Sequence, residues 1–288
     1  MAGSDVRQAR LPGGVVLHYQ QAGTGVPVVF IHGLTGDLGS WGEQVAAFAT
    51  RYRTITYSRR FSRPNANDPA ALPAHSVRVD AADLAQLLEH VAAVPAILVG
   101  SSFGAYTALA LALDRPEMVR AMVLSEPAVV PWADRVAGGA ALREQFERAA
   151  VLPARAALRA GDDEEVSRLY AHTVLGEGGI DRLPSGPRER RLANVAAIKA
   201  LVRSELEFVD LDAARAAGLK VPTLLLSGVK TAPIFSAIFE AVRQLLPDVR
   251  AFKVEGSGHS IPREQPRAFN AHCLRFLDEV IGTTAGSA

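Results

Sequence analysis

The chain has 288 residues, 49% of them hydrophobic and 21% charged, which is enough apolar material for one large packed core and too much for a disordered chain. Its 31 Lys and Arg against 30 Asp and Glu leave a net charge of +1, and no stretch gathers basic residues between aromatics, so no nucleic-acid surface is expected. A lone cysteine, Cys273, excludes an intrachain disulfide and a thiolate metal cluster.

The first ten residues are polar, with no apolar segment of the kind a secretion signal needs. No later run of about 18 uncharged apolar residues could span a bilayer. The expectation is a soluble, cytoplasmic protein without membrane contact. The segment from Gly282 to Ala288, Gly-Thr-Thr-Ala-Gly-Ser-Ala, reads as a frayed tail.

In chain order, the first strand is expected at Val15 to Gln20, within a hairpin that carries His18. A second, Val26 to Ile31, is apolar and runs into His32-Gly33-Leu34-Thr35-Gly36. A loop leaving a strand in this way can aim a backbone N–H at a developing oxyanion. His32 is expected to fix the loop by hydrogen bonding. A third strand, Thr54 to Tyr57, ends at Arg59 and Arg60, for which a solvated or ion-paired role is a better expectation than an anionic substrate. Leu84, Leu87, Leu88 and Val91 then follow the spacing of one helix face.

The next strand, Ala96 to Gly100, leads directly into Gly100-Ser101-Ser102-Phe103-Gly104, and a helical pattern from Ala105 to Asp114 follows at once. A serine in such a sharp strand-to-helix turn has its hydroxyl exposed above the sheet, and the flanking glycines avoid a Cβ clash. Ser102 is therefore the candidate nucleophile. The N–H groups of Leu34 and Phe103 are the candidate oxyanion donors, with Gly33 beside them; removal of one such donor typically costs about 3 kcal/mol of transition-state stabilisation.

After the strand Ala121 to Leu124 the alternation of strands and helices stops. From Pro127 to Gly218 only helical segments are expected, at Ala140 to Ala150, Asp162 to Val174 and Arg188 to Ser204, punctuated by glycines and prolines. This predicts a helical cap over residues 128–218, inserted into a core of residues 1–127 and 219–288. Within the cap, Trp132, Phe146, Leu169, Tyr170 and Phe208 are core residues or the lining of an apolar chamber. Such an insertion at the carboxyl edge of a parallel sheet lies where ligands bind.

The alternation resumes with a strand at Thr223 to Ser227, a helix carrying Phe235, Ile238, Phe239 and Val242, and a last strand at Val249 to Val254. That strand ends in Glu255-Gly256-Ser257-Gly258-His259. A histidine on a loop at a strand's end suits a general base, since a neutral imidazole can accept a hydroxyl proton and return it to a leaving group. His259 is the candidate base, whereas His75, His90, His172 and His272 read as surface or core residues. A stripe of Phe269, Cys273, Phe276, Leu277 and Val280 closes the chain. Parallel strands alternating with helices on both faces give an α/β fold built on a mostly parallel, twisted sheet.

Through His32-Gly33, the Ser102 turn and Gly258-His259, the sequence resembles the α/β-hydrolase superfamily, in its cap-bearing branch of small esterases, lactonases and carbon–carbon bond hydrolases. The resemblance covers Val15 to Ile281 and is weak through the cap. It implies an α/β-hydrolase fold, with the family's nucleophile on Ser102, its base on His259 and its oxyanion amides on Leu34 and Phe103. The family's usual acid follows the strand ending at Ser227, where this chain has Gly228-Val229-Lys230-Thr231, with Thr231 in the acid's place. Some members carry the acid one strand earlier, and Glu126 occupies that position. The chain order Ser102, Glu126, His259 matches the family's order.

The expected activity is that of a serine hydrolase without metal or cofactor, acting through an acyl-enzyme on a small ester, lactone or thioester of apolar or mixed polarity. Aspartate-dependent relatives such as dehalogenases and epoxide hydrolases do not fit Ser102. A lyase, cyclase or carbon–carbon bond-cleaving enzyme on the same scaffold is the alternative, as is a non-catalytic small-molecule receptor. The sequence leaves homo-oligomerisation open.

Overall fold

A computed structural model describes residues 5–69, 75–176 and 179–282. Most of the expected frayed tail, residues 283–288, lies outside the described residues. Eight strands form one sheet: β1 (Arg7–Arg10), β2 (Val16–Ala22), β3 (Pro27–Ile31), β4 (Arg53–Tyr57), β5 (Ala96–Ser101), β6 (Val119–Ser125), β7 (Thr223–Gly228) and β8 (Val249–Val254). Their order across the sheet is β1-β2-β4-β3-β5-β6-β7-β8. β1 and β2 are antiparallel, as are β2 and β4, and every pairing beyond β4 is parallel.

β1 is absent from the sequence-based expectation. It has only four residues, of which Ala9 alone is buried, so it shows no apolar run. The central strands are legible because helices cover both of their faces and their side chains are apolar throughout. Within β5, Leu98 points into one layer with Leu84, Leu109 and Ile238. Its neighbours Ile97 and Val99 point into the opposite layer with Phe48, Phe269 and Phe276. The alternation is the two-residue period of a strand.

The sheet brings three loops together. From β3 the chain goes outward to β4 on one side and then to β5 on the other, so the loops after β3 and β5 flank a crevice at the switch point. Register pairs Ile31 with Gly100, Ser101 with Ser125, and Gly228 with Val254. The residues immediately beyond these pairs include His32, Ser102 and Glu126, all at the carboxyl edge.

Between β6 and β7 the described residues contain helices and no strand. Two helical boundaries differ from expectation. The segment begun at Gly139 does not stop near Ala150; a five-residue π turn, Glu147–Val151, carries it into a helix at Leu152–Ala160. Pro153, which has no N–H to donate, falls where the π turn passes into that helix. The expected helix at Arg188 to Ser204 is two helices, Ser185–Ala193 and Val195–Ser204. They break at the fully buried Asn194, whose amide accepts from Arg63 N–H at 2.7 Å and donates to Asp37 at 3.3 Å.

This helical segment has a small cluster of its own, Ala154, Val166, Tyr170, Ile198 and Val202. Phe146, Val151 and Leu201 instead join the main core. The helices are therefore packed onto the sheet domain rather than tethered beside it. No helix among the described residues is long and apolar enough to cross a membrane.

Candidate active site

The turn after β5 carries Ser102 at φ 55° and ψ −119°, a strained conformation for a side chain with a Cβ. The neighbouring glycines make the turn sterically feasible. A Cβ on Gly104 would lie 2.0 Å from the Ile31 carbonyl oxygen, and one on Gly100 would lie 2.5 Å from the Ala105 backbone. Ser102 N–H is engaged, donating to Ser125 O at 2.8 Å. Its hydroxyl is directed toward the loop after β8.

There the Ser102 hydroxyl donates to Nε2 of His259 at 2.8 Å. Nδ1 of His259 donates to Oε2 of Glu126 at 3.1 Å, which assigns the proton to Nδ1 and leaves Nε2 as the acceptor. His259 is held from two further sides. The ring of Phe235 packs on the imidazole at a centroid distance of 4.0 Å, and Gly258 N–H donates to Glu264 at 2.6 Å. The three residues singled out in the sequence thus form one hydrogen-bonded chain, with Glu126 and His259 buried.

Glu126 sits just past β6 at φ 52°, again in the left-handed region. Its Oε1 accepts from the Ser227 hydroxyl at 2.8 Å and from Gly228 N–H at 2.7 Å. Its Oε2 accepts from Thr231 as well as from His259. Thr231 therefore directs its hydroxyl at the carboxylate that stands one strand away. Ser227 and Gly228 were absent from the sequence-based site; their signal lay only in the pairing of β6 with β7.

Gly33, Leu34 and Phe103 gather around the serine. A Cβ on Gly33 would lie 4.0 Å from Ser102 Oγ, and the Leu34 amide has no hydrogen-bond partner among the described residues. Phe103 opens the helix Phe103–Asp114, so its N–H has no intrahelical acceptor. Both amides are thus free to meet a ligand oxygen.

The loop that carries Leu34 is fixed from beneath. His32 donates from Nδ1 to Gly33 O at 2.7 Å and accepts at Nε2 from Arg59 N–H at 3.0 Å. Burial, reinforced by the Arg59 charge, holds the His32 imidazole down to about 3. The buried guanidinium of Arg59 donates to the carbonyls of Leu34 at 3.2 Å and Gly33 at 3.4 Å and lies 4.7 Å from the centroid of the Phe103 ring. It pairs with Asp80 at 2.5 Å. Burial by itself would raise the Asp80 carboxyl, but the charges of Arg59 and His75 hold it below the usual carboxylate range. Arg60 pairs with Asp83 at 2.6 Å, so both arginines are ion-paired.

Ser102 and His259 open into a cavity of about 260 Å³ roofed by the helical segment. Phe146, Tyr170 and Phe208 line it, with Phe235 and Trp41 from the core. Of the five residues read as core or chamber lining, Trp132 and Leu169 are packed away from the cavity. Trp132 is fully buried with its indole N–H donating to Leu211 O at 3.1 Å, and Leu169 packs within the lobe's own cluster. Lys230 is exposed and outside the lining. The cavity's charged residues, Arg190, Arg191 and Arg263, were not anticipated, because three scattered arginines carry no spacing signal. Apart from His32 and His259, no histidine borders the cavity. Among the described residues, no group of three or more His, Cys, Asp or Glu is arranged to hold a metal ion.

Comparison with known proteins places this geometry in a family. The chain is 27% identical to "Putative carbamate hydrolase RutD" of Azorhizobium caulinodans, over 92% of this chain and 96% of that protein. In structure it is similar to a thermophilic esterase from Thermogutta terrifontis, with a TM-score of 0.75 and 21% identity over 96% of this chain and 99% of the other. It is also similar to the enol-lactonase from Burkholderia xenovorans LB400, with a TM-score of 0.75 and 19% identity over 94% and 99% of the two chains. Residues 26–266 match the family model for the alpha/beta hydrolase fold, and the chain belongs to the α/β-hydrolase family.

Proposed function

We propose that the protein is a serine hydrolase that cleaves a small ester, lactone or thioester through an acyl-enzyme. The observation that carries this reading is the unbroken chain from Ser102 Oγ to His259 Nε2 and from His259 Nδ1 to Glu126. In the proposed mechanism His259 removes the Ser102 proton as Oγ attacks the substrate carbonyl. Leu34 N–H and Phe103 N–H receive the oxyanion, and the proton passes from His259 to the leaving oxygen or sulfur. Water activated by the same imidazole then attacks the acyl-serine and restores the hydroxyl. Glu126 orients the imidazole and stabilises its cationic form, without being protonated itself. The helical segment serves as a cap that keeps bulk water from the reacting carbonyl.

Relatives named as an esterase, an enol-lactonase and a carbamate hydrolase support acyl cleavage over a lyase or a receptor. Turnover of p-nitrophenyl acetate tests the proposal. We expect a burst of p-nitrophenol equal to the enzyme concentration, followed by slower steady release, with both phases lost in Ser102→Ala. Steady turnover that survives this substitution would overturn it.

A further inference from the structure

The cavity above Ser102 is lined by three arginines and by no aspartate or glutamate. Two of the arginines have partners outside the lining: Arg190 pairs with Asp37 at 3.1 Å and Arg263 with Glu264 at 3.2 Å. Arg191 has no acceptor among the described residues. It is partly buried in a lining that offers hydroxyl groups but no carboxylate, and burial, with Arg263 nearby, pushes its guanidinium down to about 10. An enclosed cation without a counter-charge is costly, so its retention at a ligand cavity points to a charge supplied by the ligand.

The helix that carries this arginine is tied to the core. Arg191 lies in the last turn of the helix Ser185–Ala193. The next residue but two, Asn194, is buried and bonded to Arg63 and Asp37 on the core, and its amide also donates to Arg190 O at 2.8 Å. The side chain of Arg191 therefore extends from a helix whose end is anchored to the core rather than from a loop.

Resting on the serine-hydrolase reading, we propose that the substrate carries a carboxylate remote from the scissile bond and that Arg191 receives it. A planar guanidinium matches a carboxylate through two parallel N–H···O bonds. Among the described residues Arg191 supplies one uncompensated positive charge, because Arg190 and Arg263 are already paired; this favours a singly charged carboxylate over a phosphate dianion. Arg191 is on this account a specificity residue, whereas the walls of Phe146 and Phe208 hold the apolar stretch between the two ends of the substrate.

Two p-nitrophenyl esters of similar length, the valerate and the hemiglutarate, differ by the terminal carboxylate and test the proposal. The wild type is expected to favour the hemiglutarate in kcat/KM. In Arg191→Met the ratio of hemiglutarate to valerate falls about ten-fold or more, carried by KM. Arg191→Lys retains part of the preference. The control is Arg188→Met on the same helix, where Arg188 is exposed, outside the lining and paired with Asp181 at 3.3 Å; it keeps the wild-type ratio. A ratio that is unchanged in Arg191→Met, or a wild type that prefers valerate, overturns the carboxylate site and leaves the serine mechanism standing. If neither ester is cleaved, the hydrolase reading fails instead. Calorimetric titration with glutarate then decides the site alone: binding lost in Arg191→Met supports it, and no binding to the wild type overturns it.

Discussion

The hydroxyl of Thr231 donates to Oε2 of Glu126 at 2.7 Å, across from the imidazole of His259 on the same oxygen. The loop position at which the family resemblance leads one to look for an acid thus supports, by hydrogen bonding, the Glu126 carboxylate of the neighbouring strand. Glu126→Gln is expected to lower kcat by up to about 10⁴, since an amide can present the wrong partner to Nδ1. Thr231→Asp in that background restores part of the loss. In the wild-type background the same Thr231→Asp is deleterious, because two carboxylates then meet at one imidazole. A double-mutant cycle in kcat checks the sign of this coupling; additive effects would mean that the two positions do not share a role.

Arg59 links both candidate oxyanion residues, bonding Leu34 O and facing the Phe103 ring. Arg59→Met alone leaves Asp80 buried without the guanidinium, with His75 at 3.4 Å as its remaining partner, and is expected to cost about 3–5 kcal/mol of stability. Arg59→Met with Asp80→Asn recovers much of that stability, because the buried Arg59–Asp80 ion pair is removed as a unit while the amide introduced at position 80 can still bond His75. If Arg59 positions the oxyanion loop, kcat stays low in the stabilised double mutant while KM changes little. Urea melts alongside steady-state kinetics separate the two effects, and recovery of kcat together with stability would reduce Arg59 to a purely structural residue.

His32 gives the fold a defined response to acid. Burial, with the Arg59 charge adding to it, holds the native imidazole at about 3, whereas an unfolded histidine titrates near about 6.5. Between these values the unfolded chain binds a proton that the native chain does not. Stability contributed by neutral His32 is therefore complete above about pH 6.5 and is lost as pH falls toward about 3, at up to about 1.4 kcal/mol per pH unit from this group. Asp80, held below the usual range, acts in the same direction at lower pH. Denaturant midpoints from pH 7 to pH 4.5 should show a shallower slope for His32→Gln than for the wild type. Equal slopes would show that His32 does not carry the effect.

The sheet, the Ser102 turn and the His259 loop were legible because each rests on a local pattern: an apolar run, a glycine-bounded serine, a histidine after a strand. Glu126 was legible only through the family resemblance, since a single glutamate after a strand has no local signature. What marks it in three dimensions is the φ of 52° and four donors, three of them from the strand β7 and the loop after it. Register is a property of two distant segments and cannot be read from either. The same holds for Asn194, whose partners Arg63 and Asp37 lie more than a hundred residues away in sequence and end a helix that the local pattern continues. Arg191 was missed for the opposite reason: nothing nearby in sequence distinguishes an arginine that faces a cavity from one that faces solvent.

Treatment with a fluorophosphonate followed by intact-mass and peptide analysis tests the activation of Ser102 most directly, because the reagent needs only a nucleophilic hydroxyl and an oxyanion site. The account predicts one adduct per chain, located on the peptide that contains Ser102, absent in Ser102→Ala and formed far more slowly in His259→Ala and Glu126→Gln. An unlabelled wild type, or an adduct that forms equally fast without His259, would contradict it.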